Sequence, residues 1–128
     1  MQMTRRLQVV LGAALLTLAG SSVSAQEGDP AAGAKVFNKC RACHVVDEDK
    51  NRVGPYLHGV IGRPAGTAEG FKYSDAMKNS GIVWSEETIA EYIADPKAYV
   101  PGNRMAFPGL KKQEDIKNLI AYLNEESQ

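Results

Sequence analysis

Two cysteines and a histidine form the densest group of chemically active side chains in this 128-residue sequence. Cys40 and Cys43 are the only cysteines, and His44 follows the second one directly. Thiols three positions apart can each add across one vinyl group of a haem, and the adjacent imidazole can then ligate the iron from one face. The C-x-x-C-H spacing therefore predicts one covalently attached haem c.

Two other kinds of site also use closely spaced cysteines. A thioredoxin-like thiol–disulfide centre follows a strand of a parallel sheet, and no segment of this sequence alternates convincingly as a strand. A structural zinc site needs four ligands, and besides these three residues only His58 is available. The sequence therefore favours haem attachment over a thiol–disulfide centre and over a zinc site.

The amino terminus has the pattern of an export signal. Arg5 and Arg6 precede an uncharged apolar stretch over residues 7–20, and small residues follow up to Ala25. This pattern predicts a signal peptide over residues 1–25 that is cleaved after Ala25, and hence the periplasm of a bacterium. An uncleaved anchor is the alternative, but fourteen apolar residues fall short of the about 20 that cross a bilayer.

The predicted mature chain, residues 26–128, is long enough for one domain. Without Arg5 and Arg6 it has 13 basic and 15 acidic residues, a net charge of −2 before any cofactor is bound. This balance argues against nucleic-acid binding by bulk charge. Oxidising compartments favour disulfides, but a bond between Cys40 and Cys43 would close too small a loop to staple a fold.

Capping residues and apolar periodicity predict an all-α chain. Asp29-Pro30 begins a helix that leads into the haem motif, a shorter helix is expected over 74–79, and Ser85 begins another helix that Asp95-Pro96 breaks or restarts. The clearest apolar stripe belongs to the last helix and consists of Ile116, Leu119, Ile120 and Leu123. Residues 45–72 lack periodicity, and so long a loop is reasonable if it wraps around a large rigid ligand.

The second axial position of the haem iron has three candidates outside the predicted signal peptide. Met77 lies in an amphipathic stretch, where methionine usually packs, and His58 is expected to be a solvated loop histidine. Met105 lies in the loop 101–109, which has Pro-Gly at both ends. A stiffened loop lowers the ordering cost of holding a weak thioether ligand. The residues favour Met105 and leave the others open.

The order of several motifs resembles that of the class I cytochromes c, above all the small bacterial cytochromes c2 and their mitochondrial relatives. The resemblance covers residues 28–124 and implies the cytochrome c fold, with short helices and long loops around one haem. The motifs are Cys40 to His44, Val53-Gly54-Pro55, Gly62-Arg63, Tyr73-Ser74-Asp75-Ala76, Trp84 and the segment 92–105.

The resemblance implies a role for each of several residues. His44 and Met105 would be the two iron ligands, and the Pro55 carbonyl would orient the outer ring nitrogen of His44. Tyr92 would lie near Met105 and tune the iron through a hydrogen bond to its sulfur.

Three more residues would serve the haem propionates. Arg63, Tyr73 and Trp84 would hydrogen-bond or neutralise them, whereas the simpler interpretation of the two aromatic residues is core packing with a polar tip.

The resemblance also bears on packing and on the polar network around the ligand. Gly33 would allow the first and last helices to cross closely at Tyr122, and Phe107 would shield the haem edge. Met77 stands where many relatives carry Asn, and Asn103 stands where many carry Thr. These two differences leave the hydrogen bonding around the ligand open.

The function implied by the resemblance is one-electron transfer by a soluble monomer, with no catalytic group and no small-molecule substrate. The donor would be a quinol–cytochrome c oxidoreductase of the bc1 type, and the acceptor a terminal oxidase or a photosynthetic reaction centre. A basic surface around the haem edge would dock these membrane complexes. Its members are Lys35, Lys39, Arg52, Lys97, Arg104, Lys111 and Lys112. The alternatives are a haem enzyme such as a peroxidase and a subunit of a larger dehydrogenase.

Overall fold

The computed structural model describes residues 28–128 and shows five helices joined by long loops. These are α1 (Pro30–Phe37), α2 (Asp75–Lys78), α3 (Glu86–Ala94), α4 (Pro96–Tyr99) and α5 (Gln113–Glu126). Within residues 28–128 no strand forms, and Pro64 and Val83 make an isolated antiparallel bridge. The all-α prediction is therefore confirmed. The predicted signal peptide lies outside the described residues.

Helices α1 and α3 begin at the capping residues predicted from the sequence. The Asp29 carboxylate accepts a hydrogen bond from the amide of Ala31 at 2.9 Å, and Pro30 occupies the first turn of α1. Ser85 and Thr88 cap α3 reciprocally, each side chain bonding the backbone amide of the other. These contacts satisfy amides that have no partner inside the helix.

The segment Asp95-Pro96 separates two helices rather than ending one. Asp95 caps α4, accepting a hydrogen bond from Ala98, and Pro96 begins that helix. The restart predicted at this point is therefore present.

The first and last helices cross at very short range. A Cβ atom placed on Gly33 would overlap the Asn118 carbonyl of α5 and come within 2.7 Å of the Tyr122 Cβ. Phe37 and Tyr122 pack with ring centroids 5.1 Å apart, and Phe37 is almost fully buried. Only glycine allows this approach, as expected from the sequence. The crossing sets the position of the chain segment that leaves α1.

A polar contact joins the end of α5 to the loop that follows the haem motif. Nδ1 of His58 lies 2.8 Å from the Asp49 carboxylate, and its Nε2 lies 3.1 Å from the Gln128 carbonyl. The buried Ser127 also accepts a hydrogen bond from the Gly59 amide. His58 therefore lies in a loop and is about one-third exposed, as expected, and its imidazole in addition bridges two segments.

Among the helices of residues 28–128, none is long and apolar enough to span a bilayer.

The substitution Gly33→Ala should lower the free energy of unfolding by about 2 kcal/mol, since the added methyl group overpacks the α1–α5 crossing. Helix propensity alone would favour alanine by about 1 kcal/mol, so the two effects have opposite signs. Urea unfolding followed by circular dichroism measures the difference. Ala31→Gly, an exposed change on the same helix, should cost about 1 kcal/mol. A Gly33→Ala variant at least as stable as the wild type would contradict the crossing.

The His58–Asp49 contact should make stability depend on pH. The hydrogen bond to Asp49 raises the pKa of His58 above 6.5, so its contribution is fully present below pH 6.5 and is lost as the pH rises through the folded-state pKa. Asp49→Asn should therefore destabilise the protein more at pH 5.5 than at pH 8, as measured by urea unfolding. Asp47→Asn is the control: Asp47 acts on His58 only through its charge, so this variant should show a smaller difference between the two pH values. Equal losses at both pH values would refute the contact.

Candidate haem site

A cavity of about 510 Å³ lies between the helices and the long loops, within the range of about 300–1,000 Å³ found for ligand sites. Its walls are mostly apolar and come from distant parts of the chain. They include Phe37, Leu57, Val60, Ile93, Leu119 and Leu123. An apolar cavity of this size suits a large, flat, hydrophobic ligand.

The haem motif forms one wall of this cavity. After α1 ends at Phe37, two tight turns follow, with Cys40 N–H donating to the Phe37 carbonyl at 2.8 Å and His44 N–H donating to the Cys40 carbonyl at 2.9 Å. Cys40 and Cys43 form no disulfide with each other, and both line the cavity. Burial raises the pKa of the Cys40 thiol, and the nearby Cys43 raises it further.

His44 is held in one orientation by its neighbours. Its Nδ1 lies 2.7 Å from the Pro55 carbonyl, and because a carbonyl only accepts, Nδ1 carries the proton. Burial lowers the pKa of His44, which favours the neutral ring. Gly54 packs against the face of the imidazole, where a Cβ would come within 2.8 Å of Nδ1. The other nitrogen, Nε2, therefore keeps its lone pair for a metal.

Met105 reaches the same cavity from the loop between α4 and α5. The loop turns at Gly102, whose φ of +89° favours glycine. Met105 is partly buried and lines the cavity, and its sulfur lies 3.9 Å from the Tyr92 hydroxyl. Burial raises the pKa of Tyr92 to about 12, so this hydroxyl remains a proton donor at neutral pH.

The other two ligand candidates lie in different surroundings. Met77 is buried on α2 and also lines the cavity, so its position alone does not separate it from Met105. His58 is absent from the cavity wall and bonds Asp49 and Gln128 instead.

The three residues assigned to the propionates all line the cavity. Arg63 donates to the carbonyls of His58 and Tyr56 at 3.2 and 2.9 Å, but its buried Nε has no partner. A buried unpaired donor is costly, so this nitrogen suits an anionic group in the cavity. The Tyr73 hydroxyl accepts from the Ala68 amide at 3.0 Å, which leaves its own hydrogen to donate. Trp84 is buried, with its ring 5.1 Å from that of Tyr92.

Sequence reasoning missed the residues that hold Arg63. The Tyr56 ring lies 5.0 Å beneath the guanidinium carbon of Arg63. Asn51 fixes this segment, because its side chain accepts from the Tyr56 amide and donates to the Glu69 carbonyl. The position of Tyr56 directly after Pro55 was the only hint in the sequence.

The charge around the cavity is positive. Its wall contains the exposed Lys39, Lys72 and Arg104 in addition to Arg63. Among the described residues that line it, there is no aspartate or glutamate. All seven residues of the predicted basic surface are exposed. Two of them also have backbone partners, since Arg104 donates to the Tyr73 carbonyl and Lys111 to the carbonyls of Ala94 and Pro108. Lys72 was not predicted.

These side chains fit a haem. Two thiols at the required spacing, a neutral imidazole and a thioether line one apolar cavity, and the unpaired Arg63 nitrogen matches a carboxylate. Soft sulfur and imidazole donors are those that haem iron takes in such proteins.

Comparisons with known proteins agree with this chemistry. A family model described as Cytochrome c matches residues 30–127. The chain is 50% identical over 112 residues to a cytochrome c2 of Blastochloris viridis, covering 87% of this chain and 88% of that protein. It is 57% identical over 99 residues to a cytochrome c2 of Rhodoblastus acidophilus, covering 77% and 92%. Among solved structures, cytochrome cH from Methylobacterium extorquens superposes with a TM-score of 0.72 at 47% identity, covering 76% of this chain and 98% of that one.

Proposed function

Because the chain belongs to the cytochrome c family, whose members are electron carriers with a covalently bound haem c, we propose that it carries single electrons in the bacterial periplasm. The observation that carries this proposal is the shared cavity: Cys40, Cys43, His44 and Met105 all line it. When bound there, the haem supplies a one-electron Fe(II)/Fe(III) couple, whose potential His–Met ligation raises.

Each side chain then has a defined task. Cys40 and Cys43 would hold the group through thioether bonds, and His44 would present Nε2 to the iron while Pro55 keeps the ring from turning. Met105 would present its sulfur from the loop between α4 and α5. Arg63 and Tyr73 would donate to the propionates with the N–H and O–H groups that lack protein partners.

The proposed ligand set favours electron transfer over catalysis. With both His44 and Met105 as ligands, no open position would remain at the iron, so a substrate would have to displace a protein ligand. The apolar walls limit water around the group, and Tyr92 donates toward the Met105 sulfur. A peroxidase would instead leave one axial position open, and a dedicated dehydrogenase subunit would copurify with its partner.

The basic rim suggests how partners dock. The exposed Lys39, Lys72 and Arg104 line the cavity without an acidic residue among the described lining, whereas the predicted mature chain has a net charge of −2. Such an asymmetry steers association with acidic surfaces. We propose a quinol–cytochrome c oxidoreductase as donor and a terminal oxidase or a photosynthetic reaction centre as acceptor, with the carrier acting as a monomer.

Ligation by Met105 should be visible in the optical spectrum of the ferric haem protein. Sulfur ligation produces a weak red charge-transfer band, so wild type should show this band and Met105→Ala should lack it. Met77→Leu, which conserves the volume of the other methionine in the cavity wall, should keep the band. Loss of the band in Met77→Leu with retention in Met105→Ala would assign the ligand to Met77 instead.

Electron exchange with a purified quinol–cytochrome c oxidoreductase should slow as ionic strength rises, because salt screens the basic rim. At low salt, Lys39→Glu should reduce the second-order rate roughly fivefold through weaker steering, and stopped-flow absorbance measures this rate. Lys117→Glu makes the same charge change on α5 outside the cavity wall and should have a smaller effect. Rates that do not depend on salt would contradict docking by this surface.

A further inference from the structure

The Asn103 side chain occupies a central position in the loop that carries Met105. Its Nδ2 donates to the carbonyls of Pro96 and Val100, each at 2.8 Å. Its Oδ1 accepts from the backbone amide of Met105 at 2.9 Å. One partly buried amide thus connects the start of α4, the residue after α4 and the proposed iron ligand.

These three contacts use both N–H donors of the amide and one of the two lone pairs on its oxygen. A primary amide has two N–H donors and one carbonyl acceptor in a fixed plane, and Asn103 points both donors at backbone carbonyls and its oxygen at a backbone amide. A hydroxyl side chain at this position has one donor, so it could not serve both carbonyls. The three bonds tie Pro96, Val100 and Met105 to one side chain.

The same oxygen also faces Tyr92. The Tyr92 hydroxyl lies 3.4 Å from Oδ1 of Asn103 and 3.9 Å from the sulfur of Met105. Asn103 therefore offers this partly buried hydroxyl an oxygen acceptor as an alternative to the sulfur, because a phenol has one O–H to donate. Met77, the other unusual residue at this point, is buried against the cavity and has no side-chain hydrogen-bonding group.

We propose that Asn103 is a positioning residue for Met105: its amide fixes the loop so that the Met105 sulfur stays directed into the cavity. This proposal rests on the proposed ligation by Met105. Arg104 supports the outer side of the loop through its bond to the Tyr73 carbonyl, but that bond is exposed and does not touch Met105.

Competition with imidazole tests the positioning role. Added imidazole binds the ferric iron only when the Met105 sulfur leaves it, so its apparent affinity measures how easily the loop opens. Relative to wild type, Asn103→Ala should bind imidazole about 30-fold more tightly, a difference of about 2 kcal/mol at 1.4 kcal/mol per tenfold change. Asn103→Thr, whose hydroxyl supplies one donor in place of two, should show a smaller increase. The control Asn124→Ala removes an amide that bonds Glu86 away from the cavity and should stay within twofold.

Amide hydrogen exchange gives a second measurement that does not depend on imidazole. In the ferrous protein, the Met105 amide should be protected in wild type, and Asn103→Ala should speed its exchange at least tenfold without changing the core amides of α5. An unprotected Met105 amide in wild type, or unchanged exchange in Asn103→Ala, would overturn the proposal.

The two proposals can fail separately. Absence of the red sulfur band in wild type would overturn ligation by Met105 and the positioning role together. A band that is present, combined with wild-type imidazole affinity in Asn103→Ala, would overturn the positioning role alone.

Discussion

The close crossing of α1 and α5 is the contact on which the rest of this structure depends. Because Gly33 has no side chain, its backbone can pack directly against the backbone of α5 at Asn118. This close packing fixes where the chain leaves α1. The haem motif begins within three residues of that exit, so the crossing also places Cys40 and Cys43 at the cavity wall. Leu119 and Leu123, on α5, form another part of the same wall.

The loops keep their shape because side chains satisfy backbone groups that have no helix or sheet partner. Asn51 bonds an amide and a carbonyl across the first long loop, and Arg63 bonds two carbonyls beside it. Asn103 does the same in the loop before α5. Each of these side chains lines the cavity or bonds a segment that does. The polar contacts that order the loops are therefore also the contacts that shape the site.

The cavity separates two requirements of an electron carrier. Its interior is apolar and holds the proposed ligands, whereas its rim carries exposed cations and no described acidic side chain. A predicted mature chain with 13 basic and 15 acidic residues can thus present a positive surface to a partner. The unpaired Nε of Arg63 is buried, and Arg63 lines the cavity, where it would neutralise a charged group of the ligand.

The sequence by itself determined the features that depend on neighbouring residues. Such features act over a few residues: the Cys40–His44 spacing predicted haem attachment, the caps at Asp29 and Ser85 predicted two helix starts, and the apolar stripe of α5 predicted the last helix. Together they predicted the all-α fold. Local sequence features alone left both Met77 and Met105 possible as ligands, and the family resemblance favoured Met105. The cavity does not separate them, because both methionines line it. Only the tertiary structure decided the bridging contacts of His58, the support of Arg63 by Tyr56 and the four partners of Asn103. Those contacts involve loop segments without regular periodicity, so no local pattern predicts them. They form only once the chain has closed around the cavity.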